Sequence, residues 1–155
     1  METYTVSLFG HRYLDNSFAV ERELEKIICE LLHRPEYINF LVGRNGDFDI
    51  LATSVIKRCR RSIGGDNSTM TLVLPYTTAE LRNDEKSLLD YYGEIEVCEA
   101  AAASHYKKSL QIRNRAMVDR SDLVIFCVAK SGGAYQTLQY AAKQGVNYIN
   151  LLQTK

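Results

Sequence analysis

The sequence predicts an α/β fold: a mainly parallel sheet of five to six strands with helices on both faces. Three observations carry that expectation. Short β-branched or apolar runs alternate with longer segments of helical apolar spacing, which is the pattern of right-handed βαβ units. The run Leu123-Val124-Ile125-Phe126-Cys127-Val128-Ala129 has the length and composition of a strand buried on both faces. Gly132 and Gly133 follow it directly and lead into a helical segment, Ala134 to Gln144. Strand, glycine turn and helix start form a phosphate-binding arrangement. Glycine lets the backbone approach a ligand, and the first helical amides carry partial positive charge.

Taken in order, Tyr4 to Phe9 is β-branched and aromatic-rich and stops at Gly10, so it reads as the first strand. Asn16 or Ser17 caps a helix whose apolar positions are Val20, Leu24, Ile27, Ile28 and Leu31, and Pro35 follows it. Ile38 to Val42 is the second strand, stopped by Gly43. Asp47 opens a second amphipathic helix with Phe48, Leu51, Ala52, Val55, Ile56 and Cys59 on one face, ended by Gly64 and Gly65. Met70 to Leu74 is the third strand, closed by Pro75. Residues 77–107 carry a weaker pattern. Glu80 to Tyr92 reads as an exposed helix and Ile95 to Cys98 as a short strand, while Ala100 to Ala103 does not choose between helix and loop. A helix from Lys108 to about Val118, the buried strand, the helix from Ala134 and a last strand, Tyr148 to Leu152, complete the count. With 155 residues, no linker and no repeat, residues 1–155 read as a single domain.

Nineteen basic and nineteen acidic side chains give a net charge of zero. That balance argues against a dedicated, strongly basic nucleic-acid binder. The densest basic run, Lys57-Arg58-Cys59-Arg60-Arg61, reads as a helix end where cations suit the dipole. Cys29, Cys59, Cys98 and Cys127 show neither metal-clamp nor C-x-x-C spacing, and they read as small core hydrophobes in a reducing compartment. No signal peptide or membrane-spanning run is evident, so a cytoplasmic protein without a membrane partner is expected.

In a parallel sheet of this kind, ligands sit beyond the carboxyl ends of the strands. The strand-end segments are Gly10-His11-Arg12, Gly43 to Asp47, Pro75-Tyr76 and Ser131-Gly132-Gly133. Arg12 is expected to bind anions. His11 can act as an acid or base near neutral pH, or tie down a neighbouring loop. Asp47 reads as a helix N-cap, with Asp49 supporting the same dipole. Tyr76 can stack on a base or close its own loop. Tyr135 can cover a ligand or fill a dimer contact.

Quoted in order, the motifs are G-H-R at 10–12, G-x-x-G-D-F-D at 43–49, L-P-Y at 74–76, R-N-x-x-M-V-D-x-S-D at 113–122, and S-G-G at 131–133 with Y-A at 140–141. Together these resemble the SLOG superfamily of Rossmann-like proteins, named for the Smf and Lonely Guy groups, and within it the YpsA-like domains. The resemblance implies a nucleotide or nucleotide-derived ligand held by the strand-end loops, with no required cofactor and no metal. It also implies a homodimer or higher homo-oligomer. The small or mixed faces at Ala100–Ala103 and Gln136–Ala142 could supply the contact. Lonely Guy enzymes remove the base from a nucleoside 5′-monophosphate, using an R-K-x-x-M helix and a G-G-x-G-T-x-x-E loop–helix. Arg113 and Met117 match the first motif, with Asn114 in place of lysine. Gly132 and Gly133 match the second, while Ala134 and Tyr135 begin the departure from it.

Gln139 falls where that family has its catalytic glutamate. A neutral amide neither stabilises an oxocarbenium ion nor accepts a proton usefully. His11, Asp49 and Asp119 remain as stand-in catalytic groups, with Asp47 beside them. The first reading is therefore a binder of a nucleotide or nucleotide-derived small molecule, with a sensor as one form of that role. The alternative is a nucleotide-processing N-glycoside hydrolase. A single-stranded DNA-binding module like the Smf group ranks third, because neutral charge and the lack of an evident basic, aromatic-lined groove make a nucleic-acid partner unexpected.

Overall fold

The computed structural model describes residues 2–152. Six strands, β1 (Thr3–Gly10), β2 (Tyr37–Val42), β3 (Ser68–Leu74), β4 (Gly93–Val97), β5 (Leu123–Cys127) and β6 (Tyr148–Asn150), form one sheet in the order β4-β3-β2-β1-β5-β6. Every neighbouring pair is parallel. The helices are α1 (Ser17–Leu32), α2 (Asp47–Ile63), α3 (Ala79–Tyr92), α4 (Glu99–Ala102), α5 (Tyr106–Asp119) and α6 (Gly133–Gln144).

Alternate side chains of the strands divide between two cores, as a period of two requires. Val6 and Leu8 of β1, Phe40 of β2 and Ile125 of β5 pack with Leu24 and Ile28 of α1 and Val55 and Ile56 of α2. Phe9, Leu41, Val124 and Phe126 face the other way, onto Met117 and Val118 of α5 and Ala141 of α6. The rings of Phe9 and Phe126 stack at 5.7 Å across the β1–β5 pair. Helices thus cover both faces, giving the Rossmann-like α/β architecture that the alternation of elements predicts.

Local departures have local causes. Asn16 stands at the start of α1 in a left-handed conformation (φ 52°) and makes no side-chain cap bond. Asp47 is the first helical residue of α2, and Gly46 occupies the cap. The Asp47 carboxylate instead accepts the Leu14 N–H at 3.0 Å, holding the loop after β1. Ala100 to Ala103 resolves into the four-residue helix α4 and its cap. The last strand stops at Asn150 because that side chain turns to the neighbouring loop, accepting from Val128 N–H at 3.0 Å and donating to Val128 O at 2.9 Å. The basic run at the end of α2 is committed to structure. Arg58 pairs with Glu21 and Glu25, and Arg60 donates to Ser68 Oγ and Ser68 O. No helix of the described residues is long and apolar enough to cross a membrane.

Candidate functional site at the strand carboxyl ends

From β1 the chain steps outward through β2 and β3 to β4, then crosses back to β5 on the other side of β1. The connection direction reverses between β1 and β5, and ligand crevices form beyond the strand ends at such a point. A cleft of about 300 Å³ opens there, floored by Gly10 and walled by the loops after β2 and β5 and by α5.

Glycine at three positions makes this geometry possible. A Cβ on Gly10 would sit 2.3 Å from Phe48 Cγ, so this glycine lets α2 lie close against β1. A Cβ on Gly46 would stand 2.4 Å from the Arg12 Cα, where two backbones meet and Asp47 N–H donates to Arg12 O at 2.8 Å. Gly132 has φ +145°, a conformation that side-chain-bearing residues rarely adopt, and it opens α6 toward the cleft.

Arg113 dominates the cleft wall. It is 3% exposed, yet its Nη1 donates to Val73 O at 2.7 Å and its Nε to Asn114 Oδ1 at 2.9 Å. Asn114 in turn donates to Thr137 Oγ1 at 3.0 Å, so it positions the guanidinium between α5 and α6. No carboxylate of the described residues lies in salt-bridge contact with Arg113. Burial pulls its pKa down, opposed by Asp49, but a guanidinium stays charged in proteins. Asp49 accepts the Asn45 N–H at 2.7 Å, and burial pushes its carboxyl up against the pull of that amide and of Arg113. Facing Arg113 are Gly133 and Ala134, whose amides begin α6 and have no acceptor within the helix. A cation held inside protein and a helix start that line one small volume are groups able to hold an anion.

His11 is a loop tie. Its Nε2 accepts the Ala129 N–H at 2.9 Å and the Lys130 N–H at 3.3 Å, joining the loops after β1 and β5. Desolvation, then Lys130, lowers its pKa below 6.5. The neutral ring is the form that accepts those bonds. Its contribution to stability is therefore present above the unfolded value and lost as pH falls through the depressed folded value. Thermal melts are expected to fall as pH drops below about 6.5, and His11→Asn is expected to flatten that acid limb.

Arg12 and Gly43 also line the cleft, with Asp49 as the one lining residue among the three candidate catalytic groups other than His11. Several expected residues lie elsewhere. Met117 is 1% exposed in the α5–α6 core, because the helix face that carries Arg113 into the cleft passes under the sheet one turn later. Asp119 ends α5 and accepts the Tyr140 hydroxyl at 2.6 Å, about 9 Å along the helix from Arg113 and outside the cleft lining, so the structure does not bring it to the site. Gly46 and Asp47 build the loops without lining the space between them. Ser131 and Gln139 are exposed outside the lining. Tyr76 and Tyr135 stand on the rim, 37% and 39% exposed. Tyr13, Asn45, Leu110 and Lys130 line the cleft without having been expected there. Only Leu110 carried a signal, since it lies three residues before Arg113 on one helix.

The rim gathers aromatic and basic side chains from loops far apart in sequence. Tyr13, 77% exposed, follows β1, and Tyr106, 73% exposed, starts α5 with its ring 6.0 Å from that of Tyr76. Arg12 and Lys130 line the cleft, and Lys107 and Lys108 follow Tyr106 at the start of α5; all four are exposed and form no salt bridge with the described residues.

No family model matches the chain, and no curated protein matches it. A solved structure does. The chain is similar in fold to DNA processing protein A from Helicobacter pylori, which has a single-stranded DNA binding mode. The two share 19% identity with a TM-score of 0.66, over 97% of this chain and 66% of the other. This chain therefore spans about two thirds of that protein's length. The expectation against a nucleic-acid partner, drawn from zero net charge and the lack of an evident basic, aromatic-lined groove, does not stand, because a fold this similar serves a single-stranded DNA binder.

Proposed function

We propose that the protein binds single-stranded nucleic acid, with one phosphate in the cleft between Arg113 and the start of α6 and neighbouring nucleotides on the tyrosine and lysine rim. The observation that carries this reading is the rim itself. Arg12, Tyr13 and Lys130 line the cleft, and exposed Tyr106, Lys107 and Lys108 begin the helix that carries Arg113 into it, none of these cations forming a salt bridge among the described residues; such side chains supply what a single strand needs, faces for bases and charge for the backbone. The similarity in fold to DNA processing protein A supports it. The SLOG-like motifs at 10–12, 43–49 and 113–122 are compatible with it.

Fluorescence anisotropy with a labelled oligothymidine at low salt tests the reading. Binding is expected, weakening steeply with salt. Arg12→Ala combined with Lys130→Ala is expected to flatten the salt slope by roughly one to two units. Tyr106→Ala is expected to cost about 1–3 kcal/mol of affinity through lost stacking. Undetectable binding at low salt, with folded protein, would overturn the proposal.

The second reading, a free nucleotide-derived ligand, is favoured by the cleft volume of about 300 Å³, which is enough for a small nucleotide. Thermal stabilisation by a mononucleotide without any oligonucleotide binding would select it. Hydrolysis of an N-glycosidic bond gains little, since Asp49 is the cleft's carboxylate and is already held by the Asn45 amide.

A further inference from the structure

Away from the cleft, α1 and α2 bring two of the four cysteines together. Cys29 lies in the last turn of α1 and Cys59 near the end of α2, on helices packed side by side against the sheet. Their sulfurs are 3.4 Å apart, with the Cys29 thiol donating to the Cys59 sulfur. Cys59 is 1% exposed, while Cys29 is half-buried and open to solvent on one side. No other pair of cysteine sulfurs is in contact among the described residues. Arg58, paired with Glu21 and Glu25, closes the surface beside them.

We propose that Cys29 and Cys59 form a thiol-oxidation site, which a low-molecular-weight disulfide converts into a Cys29–Cys59 disulfide stapling α1 to α2. Cys29 is the residue that meets the oxidant. Its thiolate attacks one sulfur of the small disulfide, forming a mixed disulfide and releasing one thiol. Cys59 then loses its proton and attacks the Cys29 sulfur, which expels the second thiol. Two protein thiols are oxidised and one small disulfide is reduced to two thiols. Burial, with Cys29 beside it, pushes the Cys59 thiol up to about 12. That suits a resolving thiol, which reacts within the structure and not with solutes. To reach an S–S bond of about 2.0 Å the sulfurs must close by about 1.4 Å from their 3.4 Å contact.

The pair sits at the ends of α1 and α2 remote from the strand carboxyl ends. The staple is therefore expected to change stability and to leave cleft binding alone. This inference does not depend on the nucleic-acid reading.

The folded protein is incubated with oxidised glutathione, quenched in acid, unfolded and alkylated with N-ethylmaleimide. The expected mass shows two adducts in place of the four free cysteines, and digestion yields one cross-linked peptide joining Cys29 to Cys59. The melting temperature is expected to rise by several degrees on oxidation and to return with dithiothreitol. Cys29→Ser and Cys59→Ser are each expected to remove both the cross-link and the shift. Four adducts after oxidation, a stable glutathione adduct on Cys29, or a cross-link through Cys98 or Cys127 would overturn the proposal.

Discussion

Arg113→Met is expected to weaken oligonucleotide binding at least tenfold while changing stability by less than about 2 kcal/mol, because two opposing effects nearly cancel in the fold. The substitution removes donors from Val73 O and Asn114 Oδ1, and each buried acceptor left alone costs about 1–3 kcal/mol. It also removes a buried cation whose desolvation costs several kcal/mol and is offset only in part by Asp49, which makes no salt bridge with it among the described residues. The aliphatic side chain of methionine fills most of the volume. Binding has no such compensation, since a charge-assisted bond to phosphate is lost outright. Arg113→Lys is expected to recover part of the affinity, as a point charge without the planar fork. Anisotropy alongside urea melts separates the two quantities. Unchanged affinity in a folded Arg113→Met protein would remove Arg113 from the site.

Gly46→Ala carries the largest expected loss of stability. The new Cβ would lie 2.4 Å from Arg12 Cα and 2.8 Å from Arg12 O, and backbone cannot swing away as a side-chain tip does. Overpacking of this kind costs about 1–3 kcal/mol. The shift also breaks the Asp47–Arg12 backbone bond and strains the Leu14–Asp47 bond, at about 0.5–1.5 kcal/mol each. A total of about 2–6 kcal/mol is expected in urea melts, with loss of oligonucleotide binding as Arg12 is displaced. Gly65→Ala is the control. Its Cβ would be 3.4 Å from the flexible end of Arg60, and it is expected to stay within about 0.5 kcal/mol of the parent. Equal losses at the two positions would refute the close-approach argument.

The fold was largely legible because each buried strand announces itself as an apolar run and each helix as an apolar stripe. β5 and α6 show this most plainly, with Val124 to Cys127 fully buried and Thr137 and Ala141 facing inward. The site was legible where one segment supplies both chemistry and position, as at Gly132, Gly133 and Arg113. It was illegible where position depends on tertiary packing. The four-residue spacing of Arg113 and Met117 puts them on one helix face, but not at one depth, so one lines the cleft and the other fills the core. Asp47 looked like a cap because its residue type favours caps, yet the loop after β1 claims its carboxylate. The rim escaped notice for a related reason. Tyr13, Tyr76, Tyr106 and Tyr135 are scattered over more than a hundred residues, and the two short basic and aromatic stretches, Arg12-Tyr13 and Tyr106-Lys107-Lys108, stand far apart in sequence. The parallel sheet, by placing its strand-to-helix connections at the strand carboxyl ends, brings the segments that carry them to one end of the molecule.

On the proposed single-strand reading, the tie from His11 to the backbone beyond β5 bears on which polymers the cleft would admit. It fixes the spacing of two loops rooted in hydrogen-bonded neighbouring strands, so the cleft is a slot of set width and not an adjustable jaw. A double helix can offer that slot a phosphate, but its bases are already paired and stacked on one another. The tyrosines on the rim then have nothing to hold. Discrimination between single strand and duplex would thus need no dedicated gate: it follows from a rigid opening whose contacts reward only unpaired nucleotides.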